Sequence, residues 1–426
     1  METPLDNHLG SAWSKLSVIP QSVSSVLQRG VIISTTGIVA KVVNVLTVGI
    51  IVRTIGEAKY GVYQYHLSLA MTAAVFGLFG TNALLFREFS VSSKNACRWL
   101  YHGLVLRNIG EVLAFSVLLV VVWLASLRVS ALLLAIVFVV AYIELNIQLN
   151  SSWYKALRKP WLDFLYTVTR GLLVLAAVLS ILSVVPNEFG VAFGYFIGGF
   201  VVLAAIFLGW WRALKVGRKV SFEWGSALWE SSTIVVLEVL GVLYTELPII
   251  LLGAYGTFSE VGFYAVYYRF LSPFNLPCIS YDQAFQPDLN RLVRTNQRYG
   301  TFLRSGLISM ALIGVVSAFV MLIVGPFAIK LFANQAPVNW KVVAAFLPFP
   351  VVSGYAAMLD NSVIALQKQK YIIISHASGV VALILTFLLG ANLHSLRSPL
   401  ALLVGFSTKA AIAAIILKSL GSRERD

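Results

Sequence analysis

Apolar and polar residues alternate along this chain in long blocks. The first apolar block, Val31 to Val52, has about the 20 residues that a helix needs to cross a bilayer. The polar connection Arg53-Thr-Ile-Gly-Glu-Ala-Lys-Tyr-Gly61 follows, and a second block runs to Phe86 and closes on Arg87-Glu88. Continued along the chain, the pattern predicts twelve spans, near 31–52, 64–86, 104–126, 129–149, 164–185, 190–211, 232–253, 260–284, 303–325, 341–364, 371–391 and 399–417. An all-α polytopic membrane protein is the expected class. The connection 212–230 divides it into an N-terminal lobe (31–211, spans one to six) and a C-terminal lobe (231–417, spans seven to twelve), with tails at 1–30 and 418–426. In the first tail Trp13, Leu16, Ile19, Val23, Val26 and Leu27 share roughly one helical face. Ser11 to Gln28 therefore reads either as a helix lying in the membrane interface, broken at Pro20, or as a partly ordered tail. The tail lacks the short apolar core and cleavage site of a secretory signal.

Composition agrees with the pattern. Only 12% of the 426 residues are charged and 58% are hydrophobic, whereas a soluble domain carries about 25% charged residues. The two cysteines, Cys97 and Cys278, form no CxxC and no Cys/His cluster, so neither a disulfide framework nor a zinc site is expected. No cofactor motif stands out.

The net charge of +14 raises nucleic acid as a partner, but its distribution argues for topology instead. Of the 32 Lys and Arg residues, 22 fall in segments on the side of the N-terminus, Arg107 counted among them, 6 on the opposite side and 4 within spans. Such alternation is the positive-inside signature and predicts both termini in the cytoplasm. No segment outside the membrane is long enough to bury a core of its own, so an enzyme with an extramembranous catalytic domain is not expected.

The polar residues inside the spans carry the candidate chemistry. Lys41, with Asn44 one turn on, lies deep in the first span, where an ionisable side chain is costly and marks a pathway or binding site. Ser34, Gly37, Lys41, Asn44 and Val48 share one face of that helix. Tyr65, Ser68 and Thr72 form a similar row on the second, and Tyr264, Tyr268, Leu271 and Asn275 on the eighth, with Arg269 beside them. Such rows line a cavity or form close packing seams between membrane helices. Lys41 favours the cavity, since a seam gains nothing from an unpaired ammonium.

Arg269 either faces the cavity or snorkels to the headgroups, and Arg170 either snorkels or guides a phosphate. Lys409, mid-span in the twelfth helix, pairs with an acid or faces the cavity. Glu144, Glu238 and Glu246 are embedded acids, with Glu111, Asp282 and Asp360 nearer span ends. Glu238 and Glu246 lie about 80° apart around their helix. Each is a candidate ion-pair partner of Lys41 or Arg269, or a carboxylate that couples transport to protons. His66 and His376 are too isolated for a proton relay. Arg53, Arg87 and Glu88 sit at span mouths and are candidate gate residues; Arg87-Glu88 alternatively just marks the membrane interface.

The two halves repeat. Gly56-Glu-Ala-Lys-Tyr-Gly-Val-Tyr-Gln-Tyr65 after the first span corresponds to Gly256-Thr-Phe-Ser-Glu-Val-Gly-Phe-Tyr-Ala-Val266 after the seventh, with Gly61-x-Tyr63 matching Gly262-x-Tyr264. An even number of spans separates the copies, so the repeat is parallel. Arg53-Thr-Ile-Gly-Glu-Ala-Lys-Tyr-Gly-Val-Tyr63, the ending Ala83-Leu-Leu-Phe-Arg-Glu88 and Glu260-Val-Gly-Phe-Tyr264 with Tyr268-Arg269 resemble Wzx-type oligosaccharide flippases. These belong to the multidrug/oligosaccharidyl-lipid/polysaccharide exporter (MOP) superfamily. The resemblance implies two six-helix lobes and a central cavity lined by the first, second, seventh and eighth helices. It also implies an undecaprenyl-pyrophosphate-linked oligosaccharide as cargo, such as an O-antigen or exopolysaccharide repeat unit, carried across a bacterial inner membrane. A polysaccharide polymerase and chain-length machinery are the partners it suggests. The family often carries fourteen spans, which leaves the subfamily and the sugar open.

Two other functions compete. A MATE-like drug exporter of the same fold is expected to have an acidic cavity in its N-terminal lobe, whereas the first two spans here supply Lys41. A membrane-embedded glycosyltransferase or polymerase is expected to carry a large loop with clustered catalytic residues, and the sequence contains none.

Overall fold

The computed structural model describes residues 23–81, 93–156, 160–218, 224–294, 299–332, 338–366 and 368–423. Within them the chain forms helices and no strands. The N-terminal half contains α1 (Val23–Ile55), α2 (Glu57–Gly77), α3 (Ser93–Leu124), α4 (Ala131–Ala156), α5 (Pro160–Leu182) and α6 (Glu188–Arg218). The C-terminal half contains α7 (Trp224–Tyr255), α8 (Phe258–Leu271), α9 (Leu276–Arg294), α10 (Tyr299–Phe332), α11 (Trp340–Phe346), α12 (Phe349–Ala365), α13 (Gln369–Leu389) and α14 (Arg397–Arg423). Only 219–223 of the connection between the halves lies outside α6, α7 and the described residues, so most of 212–230 is helical. The first 22 residues, and with them most of the interfacial-helix reading, lie outside the described residues.

Among the described residues, ten helical stretches are long and apolar enough to cross a membrane. Two expected spans fall short by that measure, and the count of twelve stays an expectation. The second, α2, buries Tyr60, Tyr63, Gln64, Tyr65, His66 and Ser68, and this polar load lowers its hydropathy. The eighth is broken: α8 ends in the 3-10 turn Ser272–Asn275, where Pro273 removes a backbone donor, and α9 continues beyond it. Large apolar side chains stand exposed in rows on α3 (Val112, Val117, Trp123) and α10 (Leu312, Val316, Phe319, Ile323). In a membrane protein such surfaces face lipid.

Local sequence accounts for the breaks that shape the middle of the molecule. Gly56 takes φ +81°, a left-handed turn that a Cβ disfavours, and so lets α2 start with this single residue between it and α1. α8 begins with a capping box: the Thr257 hydroxyl accepts from the Glu260 amide at 3.3 Å, and the Thr257 amide donates to Glu260 Oε2 at 2.9 Å.

Within the N-terminal half, α5, α3 and α4 pack on α6, and α2 packs on α3 and α4. In the C-terminal half, α14 packs on α13 and α12, and α10 and α9 pack on α12. The halves meet chiefly through α2 against α8 and α7, and α1 against α9. The α2–α8 crossing uses the glycines of the repeat. A Cβ on Gly61 would stand 2.7 Å from the Gly262 amide nitrogen and closer still to the Phe258 carbonyl, and one on Gly262 would run into the Glu57 carbonyl. Small residues of this kind let membrane helices touch backbone to backbone.

Candidate substrate cavity

Beside that crossing lies a cavity of about 400 Å³ whose walls come from α1, α2, α4, α5, α6, α7 and α8. Three cations line it, Lys41 from α1, Arg170 from α5 and Arg269 from α8, against two carboxylates, Glu144 from α4 and Glu246 from α7. Asn44, Thr47, Gln64, Gln148 and Thr167 add neutral polar groups. Helical spacing explains the placement: Lys41, Asn44 and Val48 recur every three or four residues and so share one face of α1.

The charges are not equally compensated. Arg170 pairs with Glu144 across α4 and α5. Glu246 accepts from the Ser68 hydroxyl at 2.7 Å and from Thr245 at 3.3 Å, and lies within electrostatic reach of Arg269. Arg269 is ringed by the tyrosines 60, 195 and 268, with the Tyr60 hydroxyl in hydrogen-bonding reach. Lys41 makes no ion pair or hydrogen bond among the described residues, and the charge that acts on it is the like charge of Arg269. The cavity thus carries one uncompensated ammonium in a partly buried site, where Coulomb interactions are several-fold stronger than in water. Its chemistry is that of an anion receptor. Stacked rings beside it, Tyr60 on Tyr63 at 6.4 Å and Tyr63 on Tyr195 at 5.8 Å, offer flat apolar faces.

Of the residues singled out by sequence, Lys41, Asn44, Arg170, Arg269, Glu144 and Glu246 converge on this cavity. Others lie elsewhere. Lys409 is buried in α14 with its Nζ 2.6 Å from Asp360 Oδ2. It faces the interior of the C-terminal half, because a buried ammonium there has a carboxylate to meet. His376 is not isolated: its Nε2 lies 2.9 Å from the same oxygen. Glu238 stands apart from Glu246, within reach of Arg107 on α3, so it pairs with neither Lys41 nor Arg269. Arg107 itself is 0% exposed inside α3 and is not a loop residue, which removes it from the inner-loop charges.

Arg53 donates to the Leu331 carbonyl on the exposed surface. Arg87 and Glu88 lie outside the described residues. The polar row expected on α2 is also corrected. Ser68 turns to Glu246, and Tyr65 packs against the position of Gly253. The cavity receives Tyr63, Gln64, Leu67 and Met71 instead, a face one residue round the helix. On α8, Tyr268 packs against Phe346 and Phe349 and does not line the cavity, while Tyr264 lines a second one.

A family model described as polysaccharide biosynthesis protein matches residues 26–283, more than half of the chain. The chain belongs to this family. Solved structures agree in fold. An inward-facing multidrug resistance MATE family transporter of the MOP superfamily superposes with a TM-score of 0.70 at 13% identity, covering 90% of this chain and 96% of that one. A Vibrio cholerae MATE transporter variant gives 0.67 at 16% identity, covering 94% and 98%. An outward-facing MATE transporter gives 0.66 at 14%, covering 93% and 97%. No curated protein matches the sequence. The chain is thus a multi-pass membrane protein of the polysaccharide biosynthesis family with the fold of the MATE transporters.

Sequence reasoning missed Tyr63, Gln64 and Gln148, and Tyr195 on α6. The α2 face carried a signal, since Tyr60, Gln64, Leu67 and Met71 also follow helical spacing. Tyr195 carried none: it is one aromatic residue in an apolar, glycine-rich helix.

Proposed function

We propose that the protein flips a polyprenyl-pyrophosphate-linked oligosaccharide from the cytoplasmic to the periplasmic leaflet of a bacterial inner membrane, without enzymatic chemistry. The observation that carries this reading is Lys41: an ammonium without a partner, in a polar cavity shared with Arg269 and Arg170. Pyrophosphate is the part of such a lipid that needs cations. The tyrosine and amide surfaces suit sugar rings, and the polyprenyl tail stays in the bilayer. In this mechanism the two six-helix lobes rock about the cavity, which opens to each side in turn. Glu246, held by Ser68 beside Arg269, is the carboxylate best placed to sense cargo, because an arriving anion competes with it for the guanidinium.

Lys41→Ala and Arg269→Ala, each in proteoliposomes containing the lipid-linked saccharide, are expected to abolish its translocation while the protein remains in the membrane. Normal translocation by both variants defeats the reading. The second reading, a drug exporter, is favoured by the MATE transporters whose fold this chain shares. It requires cationic drugs to bind and to compete with pyrophosphate. A cavity with more cations than carboxylates disfavours them. The charge asymmetry further predicts that cysteines placed in either terminal tail are labelled only from the cytoplasm; labelling from the periplasm overturns this topology.

A further inference from the structure

We infer that a second cavity, on the other side of the Tyr264 wall, is a binding station for the uncharged saccharide portion of the cargo. This rests on the flippase reading. The cavity, about 280 Å³, lies where the first turns of α2, α8, α11 and α14 converge with the end of α7. Its chemistry is the opposite of the first cavity. Glu57 and Glu260 line it together with Asn339, His394, Ser395 and Ser398, and no Lys or Arg does, so a pyrophosphate is repelled where a polyol is not.

Two buried hydroxyls point to a ligand. Tyr264 is 2% exposed and Ser398 1% exposed, and neither hydroxyl has a hydrogen-bond partner. Buried polar groups are nearly always satisfied, so each such orphan calls for an explanation. Of the other polar groups, Glu260 is engaged in the capping box and Asn339 with Ser395 at 3.4 Å. A saccharide supplies what is missing, hydroxyls that both donate and accept, and an apolar ring face for Phe263 and Tyr264.

The two cavities are close enough to serve one molecule. Tyr264 and Arg269 are five residues apart on α8, about 7.5 Å along its axis, and the Tyr264 phenol is within electrostatic reach of Glu246 in the first cavity. The charged and uncharged parts of one head group therefore have adjoining sites of matching chemistry.

The test uses purified full-length protein in detergent, with inorganic pyrophosphate and a panel of neutral di- and trisaccharides as probes, read by saturation-transfer NMR and calorimetry. At least one saccharide is expected to bind, and Ser398→Ala and Tyr264→Phe are each expected to weaken it about three- to tenfold, the scale of a single hydrogen bond. Ser398→Ala is expected to leave pyrophosphate affinity within about twofold, while Lys41→Ala abolishes it. Circular dichroism and melting temperature confirm that the variants fold. No saccharide binding to the unmodified protein, or binding unaffected by both variants, overturns the second station. Failure of pyrophosphate to bind the unmodified protein overturns the flippase reading instead, and the saccharide arm is read independently of it.

Discussion

Lys41 and Lys409 are both lysines at membrane depth, and their neighbours give them different roles. Lys409 meets Asp360 at 2.6 Å, with side chains only 8% and 11% exposed, and stands over the Tyr244 ring at 5.5 Å. Removing one partner of a buried pair leaves the other charge uncompensated, a loss of about 3–5 kcal/mol. Because His376 keeps its contact with Asp360, the lower end is expected for Lys409→Ala, about 3 kcal/mol, seen as a lower melting temperature in detergent. Lys41→Ala is expected not to lower it, since an ammonium without a partner adds nothing to the fold. Equal destabilisation by both variants would make Lys41 structural. The sequence marks both lysines as costly in equal measure, and which one has a carboxylate opposite is settled by how other helices pack against each of them.

At the scale of elements, the crossing of α2 and α8 shows how a repeated motif becomes a contact. Gly61 and Gly262, matched in sequence, meet each other with no room for a methyl group. Gly61→Ala and Gly262→Ala are each expected to cost at least the roughly 1–3 kcal/mol of an overpacked interior, measured as a drop in melting temperature, because backbone carbonyls cannot turn aside as a flexible side chain would. Unchanged stability would mean the helices part easily. The glycines were legible as a repeat, but their mutual contact was not: a parallel repeat fixes equivalence of position, not adjacency. Helix breaks were also partly hidden. Pro273 marks the end of α8, yet whether the chain stops or continues into α9 depends on what the next turn packs against.

For the whole molecule, the packing leaves α1 and α2 as the main contacts of the first half with the second. Rocking about the cavity would have to separate α2 from α8 at the glycine crossing. Beside that crossing, the place of a Cβ on Gly253 of α7 is filled by the Tyr65 ring of α2. Tyr65→Cys with Gly253→Cys, in a background of Cys97→Ser and Cys278→Ser, is therefore expected to form a disulfide between the halves that stops translocation, with activity restored by reductant. Full translocation by the cross-linked protein would show that α2 does not part from the C-terminal half.

The hydropathy blocks alone determine that this chain is helical and crosses a membrane many times, because a bilayer core offers no water to unpaired backbone groups and so imposes length and apolarity on each helix. The same blocks expose Lys41, Arg170, Arg269, Glu144 and Glu246 as exceptions to the apolar rule. Tertiary structure decided which exceptions gather. Five of them share one cavity, Lys409 closes onto Asp360, and Glu238 turns toward Arg107. The cause is physical: periodicity assigns a residue to a face of its own helix, whereas the partner of a charge is set by the rotation and depth at which other helices pack against that face.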